Sequence, residues 1–327
     1  MRNISTDSAS PLFNDETDYN VITDENGMGS TLLDIDNDGQ LEWFVTSVFA
    51  HKSNREDIRG LSSKIENAMI PINWGDSGNR LYSNTSTSGR LSFNDITDAA
   101  GIRMGYWGWG ACAADFNNDG FIDIYHVNGY GDIPEEVVEE DWQVLSRDTL
   151  GEVSRDNFQD KPGLLYMNNG NGTFTDQAES WALNIPSDGR GLSCFDYNRD
   201  GDIDIAIFDH SNGLQFFENQ VGHGAGLHFI NVRLVGTAPN TDAIGAKVTL
   251  RADVGSDFGL QTQLRLSTAN SQYNSQTVPD LHFGIGEANT IDEIKVQWMN
   301  GETLTCNNVE ANQFLVIDQR EGSAACP

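Results

Sequence analysis

Short apolar stretches that alternate with polar residues run through most of the chain, separated by Asp-Gly, Asn-Gly and Gly-rich steps. Alternation at period two means a strand with one face buried. It groups Leu41, Trp43 and Val45, then Ile122, Ile124 and His126, then Ile203, Ile205 and Ile207. Three strands with a common pattern are therefore predicted. Each follows an Asp-rich turn, so the pattern points to small antiparallel sheets rather than helices. No apolar run reaches the roughly 18 residues that a membrane-spanning helix needs.

The three strands belong to a repeat. Gly27-Met28-Gly29 with Asp34-Ile35-Asp36-Asn37-Asp38-Gly39-Gln40-Leu41-Glu42 returns after 81 residues as Gly108-Trp109-Gly110 with Asp115-Phe116-Asn117-Asn118-Asp119-Gly120-Phe121-Ile122-Asp123. A second step of 81 gives Gly189-Arg190-Gly191 with Asp196-Tyr197-Asn198-Arg199-Asp200-Gly201-Asp202-Ile203-Asp204. Further landmarks follow in the same order: Leu81-Tyr82-Ser83-Asn84 then Phe93-Asn94-Asp95, and Leu165-Tyr166-Met167-Asn168 then Phe174-Thr175-Asp176. Such units cannot bury their apolar faces alone, and they stack or stand radially. Two polar insertions, 51–78 and 130–162, interrupt them. Ile58, Leu61, Ile65 and Met69, and Val138, Trp142 and Leu145, have helical spacing, which predicts short amphipathic helices on the sheet surface, with a ligand-gripping lid as the alternative.

The loops bring in chemistry. Asp-x-Asp-x-Asp-Gly gathers hard oxygen ligands at alternate positions, and Gly lets the chain turn round an ion. Loop one offers Asp34, Asp36, Asp38 and Glu42 with the Gln40 carbonyl. Loop two offers Asp115, Asn117, Asp119 and Asp123 with the Phe121 carbonyl, and loop three Asp196, Asn198, Asp200 and Asp204 with the Asp202 carbonyl. Oxygen-only donors favour calcium, about three ions, over zinc or a redox metal. An EF-hand needs Glu at position 12, where these loops carry Val45, His126 and Ile207 inside strands. The acid at position 9 closes each loop instead.

The blade units resemble FG-GAP or VCBS repeats, the blades of integrin-α-type β-propellers. Asp242-Ala243-Ile244-Gly245-Ala246-Lys247-Val248, Asp280-Leu281-His282-Phe283-Gly284-Ile285-Gly286 and Ile291-Asp292-Glu293-Ile294-Lys295-Val296-Gln297-Trp298 resemble the ASPIC/UnbV domain. Together they are similar to the cartilage acidic protein family. The resemblance implies a calcium-binding protein of the cell exterior or envelope and an all-β fold: an incomplete or few-bladed propeller over 1–220 and a β-sandwich-like domain over 221–327. A propeller needs at least about four blades, and three are visible. Insertions, an open arc or a partner chain are the closures considered. Unpaired edges of an open arc invite self-association. The third unit ends at Phe216-Phe217-Glu218-Asn219 without its Phe-x-Asp strand, while residues 13–17 carry such a sequence and either complete that blade or are the tail of one upstream.

Charge sharpens the functional classes. Nineteen Lys and Arg stand against 49 Asp and Glu, a net −30 over 327 residues, with most of the acid before residue 221. That balance excludes a nucleic-acid binder and a polybasic membrane anchor. A hydrophobic fraction of 38%, with seven Trp and sixteen Phe, excludes a disordered acidic tail. The first ten residues lack the apolar core of a signal peptide, so either a leader has been removed or the chain starts inside a longer one.

Strands are predicted in the C-terminal domain over 229–235, 246–252, 261–267, 281–284, 293–298 and 314–317. Cys306 and Cys326 are expected to pair. Cys112 and Cys194 lie at different offsets before their loops, and the expectation is two buried thiols on opposite faces. His126 reads as a core histidine. Asp209-His210-Ser211 lacks the converging geometry of a triad, and no nucleophile-elbow motif is present. The Tyr106-Trp107-Gly108-Trp109-Gly110 cluster either packs between blades or stacks on a ligand. A binding or adhesion module for a protein or glycan is the first reading. An enzyme or biosynthetic accessory using a propeller pocket is the second, and a structural fragment of a larger propeller the third.

Overall fold

A computed structural model of the chain describes residues 27–49, 78–87, 90–129, 161–221, 226–255, 257–269 and 271–327. The helical patterns at 58–69 and 138–145, and the Phe-x-Asp sequence at 13–17, lie outside the described residues.

Each repeat folds as a small antiparallel sheet. The first holds β1 (Ser30–Leu33), β2 (Glu42–Val45), β3 (Arg80–Asn84) and β4 (Phe93–Asp95) in sequential order, followed by one helical turn, α1 (Thr97–Ala100). The second holds β5 (Gly108–Ala114), β6 (Asp123–Asn128), β7 (Leu164–Asn168) and β8 (Phe174–Asp176) in the same order. The third has β9 (Gly189–Phe195), β10 (Asp204–Asp209) and β11 (Gly213–Phe217), with no fourth strand among the described residues. The Asp loops join the first strand of each blade to the second.

Blades pack face to face, and the second blade is covered on both sides. Ala111, Ile122 and Ile124 share a core with Leu33, Phe44 and Leu81 of the first blade. Cys112, Tyr125, Leu165 and Met167 share another with Leu192, Ile205 and Ile207 of the third. Every residue of β6 is therefore buried, including His126. A fully buried aliphatic side chain such as Ile124 contributes about 1.5–3 kcal/mol. On the outer side of the third blade Phe208 and Leu214 are each 65% exposed, with no further blade beyond that face among the described residues.

The C-terminal domain is a two-sheet sandwich. One sheet has the order β17 (Leu281–Gly284), β12 (Phe229–Val235), β20 (Gln313–Asp318), the last pair parallel. The other has the order β14 (Leu260–Leu266), β13 (Lys247–Asp253), β18 (Thr290–Gln297), β19 (Thr303–Glu310). A two-stranded ribbon, β15 (Ser271–Gln272) with β16 (Ser275–Gln276), projects from it. Ile230, Val232, Val248, Leu250, Phe283, Ile294 and Val296 close the core between the sheets. Strand β19 escaped the sequence reading because Thr303-Leu304-Thr305-Cys306-Asn307-Asn308-Val309-Glu310 is a polar edge strand that buries only Cys306 and Val309. The three repeat sheets are the blades of a propeller arrangement, and the two sheets of the C-terminal domain share a separate core.

One expectation is corrected. Cys112 and Cys194 are not free thiols but a disulfide, with Cα atoms 6.3 Å apart. Within one sheet an offset of one residue puts two side chains on opposite faces. Neighbouring blades meet with opposite faces, so partners across the interface must leave their strands with opposite parity, and the offset is what lets them meet. Cys306 and Cys326 pair as expected, Cα atoms 5.3 Å apart, and tie the tail to β19.

Non-reducing peptide mapping is expected to recover Cys112–Cys194 and Cys306–Cys326 as the linked pairs. Replacing Cys112 and Cys194 together by Ala releases a long loop in the unfolded chain and should lower stability by about 2–5 kcal/mol, read as a fall in Tm. Recovery of alkylated Cys112 from unreduced protein would contradict the blade contact.

Candidate metal centres

All three Asp loops share one hydrogen-bond scaffold. The N–H of the turn glycine donates to the first Asp: Gly39 to Asp34 Oδ2 at 3.3 Å, Gly120 to Asp115 Oδ2 at 2.8 Å and Gly201 to Asp196 Oδ2 at 2.9 Å. Those glycines hold φ of 81°, 96° and 95°, the left-handed region that a side chain resists. The N–H after each glycine donates to the fifth-position acid: Gln40 to Asp38, Phe121 to Asp119 and Asp202 to Asp200.

The ninth-position acid ties the loop to its own blade. Glu42 accepts from the N–H groups of Ile35 and Asn84, Asp123 from Phe116 and Asn168, and Asp204 from Tyr197 and Asn219. The Asn that closes each third strand then reaches the preceding loop. Asn168 Nδ2 donates to Ile35 O at 2.8 Å, and Asn219 Nδ2 to Phe116 O at 2.8 Å. A second set of bonds runs the other way: Asn37 Nδ2 donates to Gly120 O at 3.0 Å and Asn118 Nδ2 to Gly201 O at 3.3 Å. At the third equivalent position Arg199 lies over the Phe314 ring of the C-terminal domain, 4.9 Å from its centroid. None of these links between blades was visible in the sequence reading, although Asn37, Asn118 and Asn168 stood at fixed repeat positions.

Loop one brings its acids together. Ligand oxygens of Asp34, Asp36 and Glu42 lie within 4.8 Å of one another. Asp34 is fully buried, and its Oδ1 has no hydrogen-bond partner. A buried carboxylate oxygen without a partner is costly, and a divalent cation would satisfy it while neutralising its neighbours. The donor set is oxygen only, so the residues fit calcium. In loops two and three the third position is an amide that donates to the fifth: Asn117 Nδ2 to Asp119 Oδ2 at 2.8 Å and Asn198 Nδ2 to Asp200 Oδ2 at 2.6 Å. Binding an ion there requires Asp119 and Asp200 to exchange these bonds for the metal.

Burial makes the metal-free loops electrostatically strained. It lifts Asp34 and Glu42 to about 7, assisted by their acidic neighbours. Asp204 rises to about 6, and Asp115 and Asp123 are pushed well above the usual carboxylate range, again chiefly by burial.

The C-terminal domain sits on these loops. Leu264 N–H donates to Asp34 Oδ2 at 3.0 Å, Gly286 N–H to Asn118 O at 2.9 Å and His282 Nε2 to Gly201 O at 3.1 Å. A cavity of about 290 Å³ lies between the first strands of the blades and this domain, walled by Leu33, Ala113, Phe195, Asn231, Arg265 and His282. Arg265 is held by Gln263 Oε1 and the carbonyls of Leu264 and His282, and burial lowers it to about 10, so it stays charged. Burial lowers His282 to about 3. Asp280 forms a two-pronged pair with Arg233.

Other candidates resolve structurally. His126 is buried beside the Asn79 amide, Nε2 to Nδ2 3.2 Å, and burial lowers it to about 4. The Asp209 carboxylate accepts from the N–H groups of Ser211 and Asn212, which makes a turn rather than a triad. Trp109 packs between elements: Tyr273 lies 4.9 Å away, the Arg190 guanidinium 4.3 Å over its ring, and its Nε1 donates to Gly129 O.

Fold and loops define the class: a β-propeller protein of FG-GAP-like repeats joined to an ASPIC and UnbV domain. Family models described as FG-GAP-like repeat and as ASPIC and UnbV match residues 153–207 and 236–324. The chain is similar to Cartilage acidic protein 1 of Mus musculus, 25% identical over 287 residues that cover 77% of this chain and 40% of the relative. The Homo sapiens protein of that name is 24% identical, with 77% and 39% covered. The chain thus spans about two fifths of the length of these curated relatives.

The raised carboxylates fix a pH dependence for the metal-free protein. Their folded values exceed the unfolded ones, so the folded state holds protons that the unfolded state releases. The stabilisation is full below about pH 4 and is lost as pH rises through about 7, where Asp34 and Glu42 ionise. In chelator, Tm should therefore fall between about pH 5 and 8 from this contribution, and Asp34→Asn should flatten the fall. A Tm that rises across this range in both proteins would contradict it.

Proposed function

We propose that the protein is a calcium-stabilised binding module of the cell exterior or envelope, with no catalytic machinery, whose rigid blades meet a protein or glycan partner. The observation that carries this reading is loop one, where oxygens of Asp34, Asp36 and Glu42 converge and the buried Oδ1 of Asp34 has no hydrogen-bond partner. Repetition extends the assignment to three ions. Asp34, Asp36, Asp38 and Glu42 with the Gln40 carbonyl hold the first. Asp115, Asn117, Asp119 and Asp123 with the Phe121 carbonyl hold the second, and Asp196, Asn198, Asp200 and Asp204 with the Asp202 carbonyl hold the third.

Placement outside the cytoplasm is supported by cysteine use: all four form disulfides, which persist in oxidising compartments. Similarity to cartilage acidic proteins favours the same side of the membrane. Among the described residues no helix is long and apolar enough to cross a bilayer. The cavity does not favour an enzyme over a binder. His282, its one histidine, is held neutral with Nε2–H committed to Gly201, and Asp280 is committed to Arg233.

Calcium should raise Tm by several °C at a free concentration about 100-fold above Kd, since binding the folded state alone contributes about 2.7 kcal/mol per site. Asp34→Asn and Asp123→Asn should each remove part of that rise, and calorimetric titration should count about three sites. A midpoint unmoved between chelator and millimolar calcium would sink the calcium assignment. A glycan array and a surface pull-down that stayed blank with calcium present would sink the partner assignment.

A further inference from the structure

We propose that the C-terminal domain is part of the calcium device: ion binding in the three loops seats the domain, and the seated domain in turn tightens the loops around their ions. The proposal rests on the calcium reading above and goes beyond it, because it assigns residues outside the repeats to the same sites.

One domain touches all three loops, and each time at the element an ion would organise. On loop one the Leu264 N–H donates to Asp34 Oδ2, while Asn37 Nδ2 reaches Gln261 Oε1 at 3.4 Å. Asp34 Oδ2 is thereby satisfied by Leu264 and Gly39, while the buried Oδ1 has no hydrogen-bond partner. Leu264 does what the outer partner of a metal ligand does: it fixes which oxygen is free. On loop two Gly284 lies against the Asp115 carboxylate and the Asn118 backbone. A Cβ there would stand 2.5 Å from Asn118 Cα and closer still to Asp115 Oδ2. The same loop receives the Gly286 N–H at Asn118 O. On loop three His282 Nε2 donates to the carbonyl of the turn glycine, Gly201, and Phe314 carries Arg199.

These contacts demand loops of one shape. In the metal-free loop the carboxylates repel, and the turn can relax only by moving the groups on which the domain sits. Charge does not oppose the coupling. Arg265 lies within electrostatic reach of Asp34 and Asp115, and loops one and two carry more carboxylates than one dication neutralises. The guanidinium is attracted to the filled loops as well as to the empty ones. Linkage is reciprocal, so a domain that binds filled loops better must raise their affinity by the same factor.

The test uses the full chain stripped of metal. Gly284→Ala is the selective variant: Gly284 is a strand residue outside the positive-φ region, and the nearest atoms its added methyl would meet all belong to loop two. Calcium titration should show affinity reduced about tenfold or more, the scale for removing an outer-shell partner. Hydrogen exchange supplies a readout that needs no variant. In wild type the amides of Leu264 and Gly286 should exchange slowly with calcium and quickly in chelator, while the sandwich core at Val248 and Val296 stays protected. Wild-type affinity in a folded Gly284→Ala protein, or exchange at Leu264 and Gly286 indifferent to calcium, would overturn the coupling and leave the calcium assignment standing. Absence of calcium uptake by wild type would overturn both.

Discussion

Buried carboxylates held by backbone N–H groups are the interaction on which the rest of the structure depends. Asp123 shows why: one oxygen accepts from Phe116 at the loop's start and the other from Asn168 at the end of β7. A single side chain thus fixes the turn and the third strand beside it. Asn168 then spends its amide on Ile35 of the neighbouring blade and on Ile122 of its own. The chain of bonds runs from acid to strand to next loop, so blade geometry and blade spacing have one origin. Neutral residues could pack the same space, but they could not accept two backbone donors and present remaining lone pairs to a cation.

The charge of −30 takes on a local meaning from this arrangement. Acids that point outward are screened and serve solubility. Those at the first and ninth loop positions are buried, Asp196 only in part, and burial raises their proton affinity. A metal-free loop then chooses between protonation and strain, and a cation removes the choice. An ion held there would make folding of the blades and occupancy of the loops one equilibrium.

Much of the blade architecture was legible because it is local and repeated. The Asp loops and the alternation after them recur at 81 residues, the Leu-Tyr-x-Asn strands follow them in the same order, and every described copy takes its expected place. What did not show was contact at long range. Leu264 meets Asp34 across 230 positions, and no periodicity links them. Cys112 and Cys194 were misjudged for a related reason: parity within one sheet was applied to an interface between two. Convergence of the loop-one acids was readable from spacing, whereas the amide bonds of Asn117 and Asn198 that close loops two and three were not.

The glycines of Phe283-Gly284-Ile285-Gly286 carried a signal that composition alone could not decode. A strand that surrenders its side chain is a strand approached closely by other backbone. Gly284 meets Asp115 and Asn118 of loop two, and Gly286 N–H bonds Asn118 O. The three blades among the described residues fall short of a ring, and the loop end of such an arc would leave polar backbone and acids facing solvent. The C-terminal domain occupies that position, with Phe314 against blade three and Leu264 against blade one. Its sandwich has a complete core of its own, so the domain is not needed to finish a blade. Its place is explained by what it covers, the loop glycines and the first-position acids, and a short propeller keeps its shape because a second domain reads all three of its turns at once.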